Sequence, residues 1–575
     1  MHTFKVWAPV ADDVAVHIGE ASYPLTQRDG GWWSGDVQQA GPGTDYRFVI
    51  DGGKPLPDPR SGWQPFGIDG PSRVVEHSGF EWTDPNWQAR PLAGAIIYEL
   101  HVGTFTPAGT FKAAIECLDH LVELGITHVQ LMPVNEFSGD WGWGYDGVDL
   151  YAPHHAYGSP NDLKALVDAC HAKRLAVLLD VVYNHFGPAG NYVGEFGPYF
   201  TKAYNTPWGP AVNLDRAGSH EVRRFFAENA RMWLRDYHFD GLRLDAVHAL
   251  VDRSAIHFLE YLSSEVDALA AQLGRNLVLI AESDLNDPRI VTSREANGYG
   301  IDAQWSDDFH HALHAVLTGE RNGYYQDFGS LAQLAKALQQ GYVYDGRYSR
   351  HRERIHGRAG SRLSGHHFLG YAQTHDQVGN RAQGERLSQL VSVGLQKIAA
   401  ALVMTSPFVP MLFQGEEFGA STPFQYFTQH KDPELAKQVS EGRRGEFKTF
   451  GWNPEQVPDP QDPATFQRSK LRWREMYEEP HASLLRWYKD LIALRRSRAG
   501  LTDGRMDRVE VNFDERASWL SVRREDVEVV CNLASDRQAI PVRCPKQPVL
   551  ASEDGWQLRP GLLELAAESV AILAN

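Results

Sequence analysis

Cysteine is scarce in this chain. Cys117, Cys170, Cys531 and Cys544 are the four in 575 residues, and no two of them have the short paired spacing of a zinc ligand set. Neither a disulfide framework nor a zinc site is expected. Basic residues are in the minority, with 56 Lys plus Arg against 73 Asp plus Glu and a formal net charge of −17. No long basic run relieves that balance, so a nucleic-acid partner and a polyanionic substrate are both disfavoured. Long hydrophobic runs are missing as well. The first residues hold no apolar stretch of signal length, and no window approaches the roughly 20 apolar residues that span a membrane. The simplest compartment is the cytoplasm, with no membrane partner. No P-loop, Rossmann glycine motif or Ser-His-Asp pattern with a nucleophile elbow competes for the chemistry. Internal repeats and low-complexity tracts are not evident, and the Pro- and Asp-rich residues 453–463 read as a surface loop.

What is present is length and aromatic surface. A chain of 575 residues with 42% hydrophobic composition is too long for one simple core and should form about two to four domains. It carries 16 Trp, 22 Tyr and 26 Phe. Such rings suit the apolar faces of sugars and are equally ordinary core material.

Residues 1–90 hold short alternating segments, at 3–8, 14–18 and 45–50, split by Gly, Pro and Asp turns. They predict an immunoglobulin-like β-sandwich. From Ala95 the pattern becomes apolar strands alternating with helix-length segments. Eight strands are predicted, at 95–100, 127–132, 176–182, 241–246, 277–281, 301–305, 368–373 and 408–413. Eight such units within residues 91–500 predict an α/β fold, a closed (β/α)8 TIM barrel enlarged by insertions. One insertion, aromatic and rich in Gly and Pro, runs over about 186–218. Another, at about 341–366, is rich in Arg and His. After a helical segment at 484–495, residues 505–575 return to short strands and predict a C-terminal all-β domain.

Several barrel strands end in charged residues: Asp180 with Asn184 and His185, Arg243 with Asp245, Glu282, and Asp376 after His375. Alternation puts Arg243 and Asp245 on one face of a buried strand. The bland alternative is an ion pair sealing the sheet, and any single acid here could be a cap or turn residue. Recurrence where strands meet their loops argues instead for an active-site mouth. Cleaving an acetal needs a proton donor for the departing oxygen and a negative group facing the anomeric carbon, and two carboxyls supply both. Asp245, beside Arg243, should stay ionised and suits the nucleophile. Glu282, without an adjacent cation in the sequence and after an apolar strand, should keep its proton and suits the acid/base. Asp376 can bind sugar hydroxyls and favour a distorted ring, while His185 and His375 can donate to hydroxyls around it.

These residues resemble the α-amylase superfamily of glycoside hydrolases, whose ordered blocks read here as residues 180–185, 241–245, 281–282 and 375–376. The resemblance implies Asp245 as nucleophile, Glu282 as acid/base and Asp376 as transition-state stabiliser, with His185, Arg243 and His375 around the sugar. Tyr145, followed by Asp146, resembles the family's stacking tyrosine. Thr374 is a departure, standing where many relatives have Asn before the His-Asp pair. Asn184 matches a calcium-binding position of some amylases, but the remaining oxygen ligands cannot be assigned, so no metal and no other cofactor is expected.

The sandwich-then-barrel order resembles branching enzymes, isoamylase-type debranching enzymes and maltooligosyl trehalose trehalohydrolases. Residues 98–111, the segment from Asp245 to His248, and residues 413–427 bring it nearest the last group. That resemblance implies hydrolysis of the α-1,4 bond next to the terminal trehalose of maltooligosyl trehalose or a related α-glucan. By position Glu417 and the aromatics of 423–427 are candidate sugar contacts, although packing within a loop is the more common role for any one such aromatic, and Trp141, Trp143 and Trp208 are candidate sugar platforms. The rivals are a glucan branching enzyme, a debranching enzyme and a non-catalytic glucan-binding protein.

Overall fold

The eight apolar segments are buried along nearly their whole length, so their backbone groups must find partners in one another rather than in water. In the computed structural model, which describes residues 1–360, 363–446, 454–543 and 547–574, they do so by closing a ring. The strands are β1 (Ile97–Leu100), β2 (His128–Leu131), β3 (Ala176–Val181), β4 (Gly241–Leu244), β5 (Val278–Ala281), β6 (Ala303–Trp305), β7 (Phe368–Gly370) and β8 (Val409–Phe413). Each pairs in parallel with the next, and β8 pairs with β1, forming a closed barrel. All eight predicted strands are present, each shortened at one or both ends.

Most crossovers carry helices: α1 (Leu118–Leu124), α2 (Pro160–Ala172), α3 (Ser219–Asp236), α4 (Phe258–Leu273), then α5 (Asp307–Thr318) with α6 (Leu331–Gln340), and α7 (Val393–Thr405). The β5–β6 connection departs from the predicted rhythm, crossing with only two 3-10 turns among the described residues. Helix α3 shows why these segments pack as they do. Val222, Phe225, Phe226, Ala230, Trp233 and Leu234 fall at helical spacing and are all buried. Burial of each large side chain contributes about 1.5–3 kcal/mol. Helix α2 starts at a Ser159–Asp162 capping box with Pro160 at its first position.

The barrel interior is layered by register. Ile97, Leu178, Ile280, Leu369 and Met411 belong to one buried apolar cluster. Towards the C-terminal strand ends the filling turns polar: Glu99 pairs in register with Gln130, and Asp180 with Arg243. All four are buried. This charged layer is the floor of the functional face.

Before the barrel lie a three-stranded sheet (Thr26–Gln27, Trp32–Val37, His2–Trp7) and a four-stranded sheet (Ala21–Pro24, Val14–Ile18, Asp45–Ile50, Ser72–Arg73). Arg60 ties this region to the barrel, donating to the Tyr151 hydroxyl at 2.9 Å and pairing with Glu228 of α3. After the barrel come a five-stranded and a three-stranded sheet spanning Val509–Asp514 to Ser569–Ala574. Arg524 anchors them, donating to the carbonyls of Thr405, Ser406 and Leu501 at 2.7–2.9 Å. Cys117, Cys170 and Cys531 are free thiols, whereas Cys544 lies outside the described residues. No helix among the described residues is long and apolar enough to cross a membrane.

Two hairpins raise the rim of the barrel. One, after β2, pairs Asn135–Phe137 with Gly147–Pro153, and the loop between them carries Trp143, Tyr145 and Asp146. The other, inside the predicted 186–218 insertion, pairs Phe200–Thr206 with Gly209–Val212 and holds Trp208 at its tip. The predicted 341–366 insertion contains a third hairpin, Asp345–Ser349 with Arg354–Gly357; its residues 361–362 are outside the described set.

Candidate active site

Strand β4 was expected to run to Ala246 but stops at Leu244, because Ala246 takes a left-handed conformation (φ 38°) and a 3-10 turn, Val247–Ala249, follows. An alanine there carries about 1 kcal/mol or more of strain. The reward is geometric. The Ala246 N–H donates to Glu282 Oε2 at 2.7 Å, and the Val247 N–H to the Glu282 carbonyl at 3.0 Å. The ends of neighbouring strands β4 and β5 are thereby locked together, with Asp245 on one and Glu282 on the other.

Arg243 lies beneath both. It is fully buried, and its guanidinium sits 4.2 Å over the Trp305 ring. Nη1 donates to both Asp180 oxygens and to Asp245 Oδ1, each at 2.8 Å, while Nη2 lies 2.9 Å from Glu282 Oε2. The sequence-based premise that Glu282 has no adjacent cation is therefore corrected: the arginine two residues before Asp245 serves both acids. Burial still pushes the Glu282 carboxyl above the usual range, opposed by Arg243 and assisted by the Asp245 charge. With Oε2 held by Ala246 and Arg243, Oε1 is the oxygen left to carry a proton.

The third acid arrives from β7. Thr374 Oγ1 accepts the Asp376 N–H at 3.2 Å and donates to Gln377 Oε1 at 2.6 Å, capping the short helix His375–Gly379. Threonine thus supplies the backbone hydrogen bond that orients the His-Asp pair. Burial raises the Asp376 carboxyl, His375 opposes that rise, and Glu282 reinforces it. Asp245, Glu282 and Asp376 all line one cavity of about 600 Å³. Its walls include Trp143, Tyr145, Asp146, His185, Trp208, His248 and Tyr426.

The α-amylase catalytic domain matches residues 77–204, and a domain of unknown function, DUF3459, matches residues 504–572. A malto-oligosyltrehalose trehalohydrolase from Mycobacterium tuberculosis is 50% identical over 100% of this chain and 99% of its own length. One from Arthrobacter ramosus is 52% identical over 94% of each chain. The chain belongs to the malto-oligosyltrehalose trehalohydrolase family. A crystal structure described as a putative α-amylase from Salmonella typhimurium superimposes with a TM-score of 0.92 at 37% identity, covering 100% of this chain and 97% of that one. A glucan branching enzyme from Pseudoalteromonas atlantica is a more distant relative, 27% identical over 74% of this chain and 61% of its own length.

The residues singled out from the sequence fall into three groups. Asp245, Glu282, Asp376, Trp143, Tyr145, Asp146, His185 and His248 line the cavity. Arg243 and His375 do not reach it; both are buried behind the lining. His375 was expected to donate to sugar hydroxyls, but Nδ1 lies 2.7 Å from Glu99 Oε1 and Nε2 2.8 Å from the Tyr145 hydroxyl. His185 also differs from expectation. Its Nε2 faces the Tyr145 carbonyl at 3.0 Å and so carries the ring proton; burial, the main cause, lowers its pKa to about 4. The ring is neutral, and Nδ1 is an acceptor rather than a donor.

Glu417 is the clear misplacement. It is completely buried outside the cavity, accepting from the Tyr98 hydroxyl at 3.2 Å and from His120 Nε2 at 2.7 Å. The residue beside it, Glu416, is buried too and accepts from the Tyr488 hydroxyl. The β8 end therefore contributes structural acids that fasten β1 and the helix His481–Ser497. Among the expected sugar platforms, Trp208 is 46% exposed and stacks on His185 at 4.6 Å, with planes 4° apart. Trp141 packs on Phe466 away from the lining. Of the 423–427 aromatics Tyr426 reaches the cavity, while Phe424 and Phe427 pack in a buried cluster.

Four contributors were not read as site residues. Glu99 and Asp307 end or follow buried strands, the same signal that marked Asp180; burial raises Asp307 to about 7, and Tyr371 donates to it at 2.7 Å. Arg443 and Glu446 come from helix α8 (Pro433–Glu446), whose polar composition reads only as a solvated surface helix. The described residues hold a cluster of metal-ligand type at Glu136, His154 and His155. Glu136 there accepts the His155 backbone and ring N–H groups at 2.8 and 2.7 Å, tying together the two ends of the hairpin that carries Trp143 and Tyr145.

Proposed function

We propose that this chain hydrolyses, with retention, the α-1,4-glucosidic bond next to the terminal trehalose of maltooligosyl trehalose, releasing trehalose in the cytoplasm. The observation that carries the mechanism is the shared guanidinium: Asp245 and Glu282 sit on the two terminal nitrogens of Arg243 at 2.8 and 2.9 Å, facing one cavity. Carboxyls so closely tethered suit a double displacement, for which about 5–5.5 Å is the working separation, rather than inversion across an intervening water at about 6.5–9.5 Å.

In the first step Glu282 protonates the departing glycosidic oxygen through Oε1 while Asp245 attacks C1, forming a glycosyl-enzyme and freeing trehalose. In the second, Glu282 takes a proton from water, whose oxygen attacks C1 and restores the Asp245 carboxylate. Asp376 faces the positive charge that builds on the ring in both transition states. Tyr145 presents its ring, and Asp146 and His185 their polar edges, to the glucose being transferred. Tyr426, Arg443 and Glu446 are suited to the acceptor side, where a glucose pair without a reducing end must fit.

Maltooligosyl trehalose and amylose, offered separately, test the reading. Trehalose from the first, with no new α-1,6 linkages from the second, is the expected result. Branches in amylose would instead assign the branching reaction, which employs the same three acids.

A further inference from the structure

The buried groups behind Asp376 form a chain whose hydrogens can be counted. Glu99, at the end of β1, is wholly buried, and both its oxygens face His375: Oε2 accepts the His375 backbone N–H at 3.0 Å, and Oε1 faces Nδ1 of the same ring at 2.7 Å while taking a longer contact from the Gln130 side-chain amide at 3.4 Å. On the other side of the ring, Nε2 lies 2.8 Å from the Tyr145 oxygen. That phenol stands 2.7 Å from Asp180 Oδ2. Arg243 Nη1 donates to both Asp180 oxygens, and its charge opposes the burial that raises that carboxyl to about 7; with Asp180 ionised, the hydrogen between it and Tyr145 belongs to the phenol. Tyr145 has one proton and has used it, leaving its oxygen only as an acceptor towards His375. Both nitrogens of His375 must therefore donate.

We infer that Glu99 is a positioning residue that holds His375 as a doubly protonated imidazolium directly behind Asp376. This rests on the proposed role of Asp376 in glycosyl transfer. His375 Nε2 is 3.5 Å from Asp376 Oδ1, close enough for its charge to keep that carboxyl ionised against the burial that favours the protonated form. Asp180, across the Tyr145 phenol, is a further acid near the ring; the other charged or titratable neighbours are Arg243, lying 5.9 Å over the Tyr145 ring, and His101, which burial keeps neutral. Glu99 outweighs them. Burial alone would lower the imidazole, yet Glu99 and Asp376 raise it to about 9. Loss of the Glu99 charge leaves the ring to titrate within the working pH range, and Asp376 loses its cation as the pH rises.

The test is the pH profile of trehalose release by Glu99→Gln, an isosteric change that keeps the bulk and removes the charge. The alkaline limb of kcat/KM, set by Glu282 in the unaltered enzyme, should steepen or move down as His375 begins to titrate within it, with kcat reduced more than KM is raised. In a His375→Gln background, adding Glu99→Gln should cost little further, because Glu99 acts through that ring. A profile parallel to that of the unaltered enzyme, or full additivity in the double variant, overturns the inference. Selective 15N-histidine labelling of the unaltered enzyme gives an answer even if Glu99→Gln fails to fold: the signal absent from His375→Gln should read as imidazolium at pH 8, and a neutral tautomer refutes the assignment. If the unaltered enzyme releases no trehalose, the functional reading has failed instead, and the labelling result still judges the protonation of His375.

Discussion

Asp245 and Glu282 are bound to a single cation: Arg243 reaches Asp245 Oδ1 with Nη1 at 2.8 Å and Glu282 Oε2 with Nη2 at 2.9 Å. A shared positive charge cannot by itself make one acid a nucleophile and the other a proton donor. The asymmetry comes from the surroundings of Glu282. Glu282 has one oxygen tied down by Ala246 and Arg243 and a carboxyl raised by burial, and this is the pattern of a group that arrives protonated.

Asp245→Ala and Glu282→Gln should each lower turnover of maltooligosyl trehalose by roughly three or more orders of magnitude while leaving the protein folded. A substrate with an activated leaving group separates the roles. Glu282→Gln should recover glycosyl-enzyme formation on such a substrate, because no acid is needed, whereas Asp245→Ala should not. Recovery by the Asp245 variant would reverse the assignment.

The raised Glu282 carboxyl has a signed consequence for pH. Its protonated form starts the reaction, so activity is retained above the ordinary carboxylic range and lost as the pH climbs through the raised pKa. On the activated substrate, Glu282→Gln should lack that alkaline loss in its first step. An unchanged alkaline limb would place the titrating group elsewhere.

Arg243→Lys should be far from conservative. A single ammonium cannot reproduce contacts to Asp180, Asp245 and Glu282 from the two arms of a planar fork. Leaving buried acids unpaired typically costs about 3–5 kcal/mol. Urea unfolding should show a loss of that order, together with a fall in kcat/KM. A variant as stable as the parent would mean that the acids are neutral or solvated in the folded protein.

Glu417 separates a structural acid from a substrate contact. Glu417→Gln disturbs its bonds to Tyr98 and His120 and should lower stability by about 1–3 kcal/mol, with KM for the trehalose-capped substrate unchanged. A raised KM with unaltered melting would restore the substrate contact expected from sequence position.

The sequence by itself determined the barrel and much of its functional rim. Eight apolar segments of strand length, too buried to hydrogen-bond with anything but one another, leave few ways to satisfy their backbones, and Asp180, Arg243, Asp245, Glu282 and Asp376 each stand at or just beyond the end of such a segment. What only the tertiary structure decided is who partners whom. Arg243 read as the companion of Asp245 because they are two residues apart, yet closure of the barrel sets it equally against Asp180 and Glu282 from neighbouring strands. Glu99 and Glu417 look alike as acids at strand ends, but one supports His375 beneath the cavity and the other fastens β1 from outside the lining. Strand periodicity is local and survives in one dimension. Coulombic pairing depends on distance in three, across chain separations such as the 276 residues between Glu99 and His375, and no local pattern encodes it.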